Sequence, residues 1–485
     1  MQPHLKLLDD ALVEDIIAEG LELLQDPGVK IYNDQGLTLL AEAGADVNFQ
    51  AKIARIPQPL VEQALQTAPS SFALYDGEGR VAVRYEGDHV HFDPGSSAVN
   101  LLDGETGQYR KPVTADYVRY ARLAELLPAY DAISTAFVCS DVAEEIGDLY
   151  RLYLTLLYSQ KPVVTGAFRV DTLHIMKDLL VAEAGSLEAL AARPRAVFDV
   201  CSSPPLLWSE LTCQNLIDLA RYRIPAQLVS MPLAGSTAPV TLAGAVVQHT
   251  AETLSGVAIH QLANPGAPIV WGGAPAITDM RFGTTPMGAM ETAMIDAAYA
   301  QVGKRLGMPT HTYLGASDSK LIDAQAGFES GMSALMGALA GINMISGAGM
   351  LDFLRAVSLE KLVIDAEIIA MIKRLLRGIQ TRHDIPASAV IRAVGHHGEF
   401  LGQKHTRTWF DREQYIPSEV VDRGSVGAWH QSGDKTAADR ARDRLQGLLA
   451  DPRPRSLAED VRRALRDIAE GAARQAGMDH LPSLP

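Results

Sequence analysis

Polar side chains able to do chemistry cluster in one short segment between a strand-like run and a helix-like run. The apolar run at 311–315 is followed by Ser317, Asp318, Asp323, Gln325 and Glu329. In enzymes built from alternating strands and helices, catalytic groups lie where a strand ends and the next helix has not yet begun. We therefore predict that Asp318, Asp323, Gln325 and Glu329 are catalytic, and that Ser317 contributes to substrate binding.

Three aromatic residues lie in or just after strand-like runs. They are Trp208, Trp271 and Tyr313, in a chain that is only 6% aromatic. An aromatic face beside a carboxylate suits a quaternary ammonium group, because the negative face of the ring attracts a cation. We predict that these rings, with Asp93 at the end of an earlier strand, bind a small cationic substrate. The alternative is that each ring packs between the sheet and the helices.

Other catalytic patterns are absent from the sequence. It contains no G-x-S-x-G, no H-E-x-x-H and no GxxxxGK[ST], and its three cysteines form no CxxC pair. His311 stands at the start of a strand, so we expect it to be structural. Lys320 adjoins acidic residues, so we expect it to stay charged rather than form a Schiff base. An alternative function is that of a lyase or another metal-assisted enzyme, in which a metal is bound by Asp318, Asp323 and Glu329.

A repeating unit positions these side chains. Each copy is a short β-rich run, a small or polar turn and an amphipathic helix, and strands that alternate with helices imply parallel βαβ units. Eight such units close into a (β/α)8 TIM-type barrel. An open doubly wound sheet is the alternative, although no strand is followed by G-x-G-x-x-G. The eight strand-like runs are 89–93, 133–139, 163–168, 196–201, 226–231, 268–272, 311–315 and 342–346.

Two extensions flank the predicted barrel, which spans residues 88–383. Residues 1–87 contain three helix-like patterns, at 9–24, 34–43 and 57–68, and then a strand pair at 72–75 and 81–85. We predict that they form an N-terminal cap. Residues 384–485 form a C-terminal helical extension, with charged helices at 434–449 and 457–475. These charged faces are typical of solvated helices, or of contacts in a homo-oligomer.

Charge and hydropathy narrow the possible partners. The chain has a net charge of −15, which argues against binding to nucleic acid or to anionic membranes. Its N-terminus lacks the apolar core of a signal peptide, and no apolar run approaches the roughly 18 residues of a membrane span. We therefore expect a cytoplasmic protein that binds a small molecule.

Several segments, in this order, resemble the trimethylamine methyltransferase family over nearly the whole chain. Members move methyl groups from methylamines and betaines to a corrinoid protein, and their fold is a (β/α)8 barrel. The resemblance lies in GVKIYN at 28–33, LAEAGADV at 40–47, IP at 56–57, SDSK at 317–320, DAQAGFE at 323–329, GINMI at 341–345, FL at 400–401, HT at 405–406 and Trp429.

The best-known members of that family carry pyrrolysine, whereas this chain contains only standard residues. It therefore resembles the non-pyrrolysine members, of which glycine betaine:corrinoid methyltransferase is the characterised type. Some of these carry a His after the eighth strand, where this chain reads MISGAGML at 344–351. The resemblance implies methyl transfer from a betaine-like quaternary amine to the Co(I) of a corrinoid (cobalamin) on a separate protein. A non-catalytic relative that binds a small cation is a further alternative.

Overall fold

The computed structural model describes residues 2–95, 97–380, 387–450 and 457–485 as an α/β protein. A 3-10 helix spans Glu144–Ile146. The α-helices are α1 (Asp10–Gln25), α2 (Asp34–Glu42), α3 (Gln58–Thr67), α4 (Thr114–Leu126), α5 (Gly147–Tyr158), α6 (Val170–Ala184), α7 (Leu187–Ala192), α8 (Glu210–Tyr222), α9 (Leu242–Ala263), α10 (Met290–Arg305), α11 (Ala324–Leu339), α12 (Leu359–Leu376), α13 (Ser388–Val394), α14 (Lys404–Glu413), α15 (Val426–Gln431), α16 (Ala437–Leu449) and α17 (Glu459–Gln475).

The strands are short, and most lie between helices. They are β1 (Val29–Ile31), β2 (Asp46–Asn48), β3 (Ile53–Arg55), β4 (Phe72–Tyr75), β5 (Val81–Tyr85), β6 (His91–Pro94), β7 (Asn100–Leu102), β8 (Tyr109–Arg110), β9 (Ile133–Ser134), β10 (Val163–Thr165), β11 (Ala196–Val200), β12 (Leu207–Trp208), β13 (Ala226–Leu228), β14 (Leu233–Ala234), β15 (Ile269–Val270), β16 (Ala276–Ile277), β17 (His311–Tyr313), β18 (Met344–Ala348), β19 (Met350–Leu351) and β20 (Ala356–Val357).

Each of the eight strand-like runs of the sequence overlaps a strand, in order β6, β9, β10, β11, β13, β15, β17 and β18. The strands β9, β10, β11, β13 and β15 form one parallel sheet in that order. A second parallel sheet has the order β17, β18 and β6. Two parallel bridges join the sheets, Trp271 with Thr310 beyond β15, and Ala98 with Phe137 beyond β6 and β9.

An antiparallel hairpin of β4 and β5 closes the amino ends of these strands. The predicted strand pair is thus confirmed. Its side chains Leu74, Val83 and Tyr85 are fully buried. They pack against residues that lie in, or directly before, five of the parallel strands. Those partners are Ala132, Val164, Val197, Val270 and Met344. Access to the space between the strands is therefore left to their carboxyl ends.

Side-chain caps begin several helices just after the strand ends. Ser209 Oγ accepts from Thr212 N at the start of α8, and Asp323 Oδ1 accepts from Ala326 N at the start of α11. Such caps satisfy amide groups that have no partner within the helix, and they fix where each helix begins.

The predicted terminal helices are present and pack on the central helices. Helices α1 and α3 pack on α9, α16 packs on α12 and α4, and α17 packs on α6 and α5. The division into three domains remains a prediction, and the predicted junction at 383/384 lies outside the described residues. Within the described part of the chain, no helix has the length and apolar character needed to cross a membrane.

Candidate functional site

A cavity of about 410 Å³ lies at the carboxyl ends of the parallel strands. This volume falls in the range of small-molecule sites, about 300–1,000 Å³. Apolar and small residues dominate the wall, and few polar groups point into it. The lining residues are Ser97, Ser134, Thr135, Val164, Thr165, Gly166, Ala167, Phe168, Asp199, Val200, Cys201, Leu211, Thr212, Asn215, Val229, Met231, Ala274, Tyr313 and Leu354.

Asp199 is the one acidic residue among those lining residues. Its Oδ2 accepts from the Tyr313 hydroxyl at 2.6 Å, and its Oδ1 accepts from Gln227 Nε2 at 2.6 Å. Burial raises the pKa of Asp199 to about 6, although both hydrogen bonds oppose the shift. Gln227 also accepts from the hydroxyl of Tyr85 in the hairpin, at 3.1 Å. A hydrogen-bonded chain therefore runs from the hairpin up to the cavity and fixes the carboxylate.

A buried arginine lies behind the wall of the same cavity and is not itself a lining residue. Arg151 of α5 has no exposed surface, and its Nη1 donates to Ser97 Oγ at 2.9 Å and to Thr135 O at 2.7 Å. Its guanidinium lies 4.6 Å from the centre of the Phe168 ring. All three of these partners line the cavity. Burial lowers the pKa of Arg151, and nearby acidic groups oppose that shift.

A turn with unusual backbone geometry forms part of the rim. Asp352, Phe353 and Leu354 have φ angles of 49°, 58° and 66°, in the left-handed region that residues with a Cβ rarely adopt. Leu354 lines the cavity. Lys320 holds the turn from outside, with Nζ 3.7 Å from Asp352 Oδ1 and 4.0 Å from the centre of the Phe353 ring. Lys320 thus serves as a charged support for the turn.

The structure brings the predicted catalytic residues together, but beside the cavity rather than in its wall. Asp318 is 6% exposed, and its two carboxylate oxygens accept from Met287 N and Gly288 N, each at 2.9 Å. Burial is the main cause that raises the pKa of Asp318 to about 6, and the charge of Glu329 adds to it. Asp318 therefore clamps the loop that precedes α10.

The remaining members of this cluster brace the end of β17. Glu329 Oε2 accepts from Ser317 Oγ at 2.6 Å and from Asp318 N at 2.8 Å, while its Oε1 accepts from Gln325 Nε2 at 2.9 Å. Asp323 caps α11. None of these residues is among those that line the cavity. Their hydrogen bonds go to backbone and to one another, so the contacts are those of a bracing network.

The two tryptophans predicted for the cation cage pack between sheet and helices. Trp208 lies in β12, which pairs with β1 of the N-terminal segment, and its Nε1 donates to Ser255 Oγ at 2.8 Å. Trp271 Nε1 donates to Tyr299 O at 3.0 Å. Both indoles are almost fully buried and neither is among the lining residues. Of the three predicted rings, Tyr313 alone lines the cavity.

Asp93 lies between the strands in a buried hydrogen-bonded row. Its Oδ1 accepts from Ser346 Oγ at 2.6 Å, and Ser346 Oγ is 3.0 Å from His311 Nε2. Burial raises the pKa of Asp93 well above its usual value and lowers the pKa of His311 to about 3. The imidazole is therefore neutral near pH 7. Asp93 is not a lining residue of the cavity.

Sequence reasoning missed Asp199 and Arg151. A signal for Asp199 was available, because an acidic residue inside the apolar strand AVFDV is unusual and the strand period places it on the same face as Val197. Arg151 gave a comparable signal, as the one basic residue of the largely apolar helix GDLYRLYLTLLY. Among the described residues, no group of three or more His, Cys, Asp or Glu side chains is arranged to hold a metal ion. The geometry is suited to holding a small cation beside Asp199 and the Tyr313 ring.

Comparison with known proteins gives a consistent result over the whole chain. The family described as Trimethylamine methyltransferase (MTTB) matches residues 1–478. A Trimethylamine methyltransferase MttB of Desulfitobacterium hafniense is 31% identical over 458 residues, covering 94% of this chain and 92% of that protein. A Glycine betaine methyltransferase of the same species is 29% identical over 477 residues, covering 98% of each.

The fold is also similar to a solved structure. The monomethylamine methyltransferase MtmB of Methanosarcina barkeri superposes with a TM-score of 0.52, covering 97% of this chain and 88% of that one. The two sequences are 10% identical, so this likeness concerns the fold alone.

Proposed function

Because the chain belongs to the trimethylamine methyltransferase family, we propose that it transfers a methyl group from a quaternary amine of the betaine type to the Co(I) of a corrinoid held by a separate protein. The observation that carries this proposal is the Asp199–Tyr313 pair in the wall of an otherwise largely apolar cavity. A buried carboxylate beside an aromatic ring is complementary to a small cation. The proposal includes catalysis without pyrrolysine.

We further propose that the eight parallel strands form a (β/α)8 barrel with the cavity at its mouth. The support is the pairing order, in which two bridges link the five-stranded sheet to the three-stranded one. The hairpin residues Leu74, Val83 and Tyr85 would fill the opposite end of this barrel. Catalytic groups of barrel enzymes gather at the carboxyl ends of the strands, where Asp199 and Tyr313 lie.

In the proposed reaction, one N–CH3 bond breaks and its electron pair stays on nitrogen, so a neutral tertiary amine leaves. The corrinoid supplies the electron pair for the new bond to carbon. Ionised Asp199 holds the ammonium group, and the apolar wall excludes water so that the methyl group keeps one orientation. After transfer, the nitrogen carries no positive charge. Its attraction to Asp199 then falls, which favours release of the product.

The surroundings of the cavity support a protein partner. Phe168 lines the cavity and is 44% exposed, so this part of the wall is reachable from outside. On the loop that follows β16, Met280 and Phe282 are 70% and 76% exposed. Exposed apolar side chains of this size are typical of protein contact surfaces.

Within this proposal, the residues around Asp318 act by positioning the end of β17 and therefore Tyr313.

The proposal is tested by following the absorbance of Co(I)alamin mixed with the purified protein and a methyl donor. Glycine betaine, choline and tetramethylammonium are compared with trimethylamine. We expect methyl transfer from one or more of the quaternary compounds, which release a neutral tertiary amine. We expect none from unprotonated trimethylamine, whose leaving group would be an amide anion. Asp199→Asn should lower the rate, while Asp171→Asn, an exposed carboxylate paired with Arg169, serves as the matched control. No transfer from any quaternary compound would refute the proposal.

A further inference from the structure

We infer that Arg151 binds the carboxylate of a betaine-type methyl donor and is the residue that makes the site prefer such a donor to a simple quaternary ammonium ion. This inference rests on the proposed function and names the residue that sets its specificity. It starts from a guanidinium whose hydrogen-bonding capacity is only partly used. Among the described residues, Arg151 Nε and Nη2 have no hydrogen-bond partner, although the side chain has no exposed surface.

Burying a guanidinium without a hydrogen-bond acceptor for each of its N–H groups costs free energy of folding. A guanidinium carries five N–H donors and stays charged, and burying a charge is tolerated when the charge is paired and hydrogen-bonded. The ion pairs of the described residues include none to Arg151. Asp148, one turn earlier on α5, accepts instead from Leu149 N, Phe168 N and the Thr172 hydroxyl. Arg151 is therefore prepared for an acceptor that the described residues do not supply.

The acceptor can come from the cavity. The partners of the guanidinium, namely Ser97, Thr135 and Phe168, all belong to the cavity wall. The Phe168 ring lies over the guanidinium and is 44% exposed, so a change of its rotamer needs little repacking. Once the ring has moved, a carboxylate can approach the edge of the guanidinium formed by Nη2 and Nε, which has no partner among the described residues. This is the paired arrangement in which arginine binds a carboxylate most strongly.

Opposite charges lie in the cavity wall at Asp199 and behind it at Arg151. The positive charge of Arg151 lowers the pKa of Asp199, so the two sites interact through space. An anion site at Arg151 and a cation site at Asp199 and Tyr313 are together complementary to a small molecule with an ammonium group at one end and a carboxylate at the other. Choline and tetramethylammonium would satisfy the cation site and leave the guanidinium without an acceptor.

The test is isothermal titration calorimetry of the full-length protein with glycine betaine, choline and tetramethylammonium. For the wild type, we expect glycine betaine to bind roughly 10- to 100-fold more tightly than either other compound, as one charge-assisted contact predicts. In Arg151→Met, this preference should disappear while choline affinity changes little. The matched control is Arg169→Met. Arg169 is an exposed arginine that follows Phe168 and pairs with Asp171, and this variant should keep the preference.

Two results would overturn the inference: equal affinity of the wild type for glycine betaine and choline, or a preference that survives in Arg151→Met. If Arg151→Met does not fold, the wild-type comparison still decides, and Arg151→Lys retains the charge with a shorter reach. The outcome is separable from the proposed function. Methyl transfer from quaternary donors without preference for a carboxylate would refute the role of Arg151 alone, whereas no transfer from any of them would refute the function.

Discussion

The Tyr313 hydroxyl donates to Asp199 Oδ2 at 2.6 Å and thereby joins β17 to β11 across the cavity. The two residues are 114 positions apart in the sequence. Their contact gives the cavity a carboxylate of fixed direction next to an aromatic ring. The same bond links the cation site to the segment after β17 in which Asp318 and Glu329 brace the chain.

Binding of a cationic ligand should strengthen as the pH rises from about 5 to about 7. Burial raises the pKa of Asp199 to about 6, so its carboxyl group is mostly protonated and neutral below that pH and mostly ionised above it. Calorimetric titration with choline at pH 5, 6 and 7 measures the effect. Choline carries no carboxyl group of its own, so its charge is constant across this range.

In Asp199→Asn, choline binding should be weak and independent of pH. Asp318→Asn is a suitable control, because Asp318 also has a pKa of about 6 but lies in the bracing network. That variant should keep the pH dependence of the wild type. If the step near pH 6 persists in Asp199→Asn and disappears in Asp318→Asn, then the site has been assigned to the wrong carboxylate.

Tyr313→Phe should move the midpoint of that pH dependence to a higher pH. The Tyr313 hydroxyl lowers the pKa of Asp199 by donating to its ionised form, so removal of the hydroxyl favours the protonated form. The aromatic ring remains, and choline affinity at pH 8 should therefore be close to that of the wild type. Tyr313→Leu also removes the ring and should weaken binding at every pH. An unchanged midpoint in Tyr313→Phe would contradict the predicted coupling.

The sequence sufficed for the eight strands because each combines a β-rich run with a following turn and helix, and these signals are local. The site depended on distant contacts. In the sequence, Asp318 resembles a catalytic group. In the structure, its carboxylate accepts hydrogen bonds from Met287 N and Gly288 N of another loop, which no local sequence pattern indicates. Trp208 was expected at the end of a barrel strand. It lies in β12, which pairs with β1 of the N-terminal segment.

Arg151 illustrates the other limit of sequence reasoning. Arg151 is the one basic residue of α5, in which nearly every side chain is buried, but the helix sequence does not show whether such a charge pairs within the chain or with a ligand. Its proposed role is inferred from Ser97 and Thr135 on other elements, and from two nitrogen atoms that have no acceptor in the described part of the chain. Tyr313 was predicted to bind substrate because it combines an aromatic side chain with the carboxyl end of a strand, and the structure places it in the cavity wall.

The left-handed turn at the rim predicts an unusual order of stability at Leu354. In an ordinary position, glycine is less stable than alanine by roughly 0.5–1 kcal/mol, because its unfolded backbone has more freedom. Leu354 has a φ of 66°, where alanine is strained and glycine is not. Thermal unfolding should therefore give a higher Tm for Leu354→Gly than for Leu354→Ala. The reverse order would show that the turn relaxes in the variants.

Both Leu354 variants should also bind glycine betaine more weakly than the wild type, because they remove an apolar part of the cavity wall. We expect a loss of a few-fold, measured by calorimetric titration at pH 8. Leu354→Met provides the control, since it retains most of the apolar volume and should bind nearly as the wild type does. Weaker binding with a normal Tm would separate the role of this side chain in the site from its role in folding.

Gly303 predicts that Trp271 is a fixed part of the core rather than a movable wall of the site. A Cβ at Gly303 of α10 would lie 2.4 Å from Trp271 Cδ1, which real packing does not allow. Gly303→Ala should therefore lower stability by about 1–3 kcal/mol, the usual effect of overpacking, although alanine favours helices. Gly447 is the matched control: it is also two residues from the end of its helix, α16, and a Cβ there would meet nothing within 4 Å. Gly447→Ala should raise the Tm slightly. If both substitutions stabilise the protein, then the indole of Trp271 can move. That result would favour the sequence-based prediction that Trp271 contributes to the cation site.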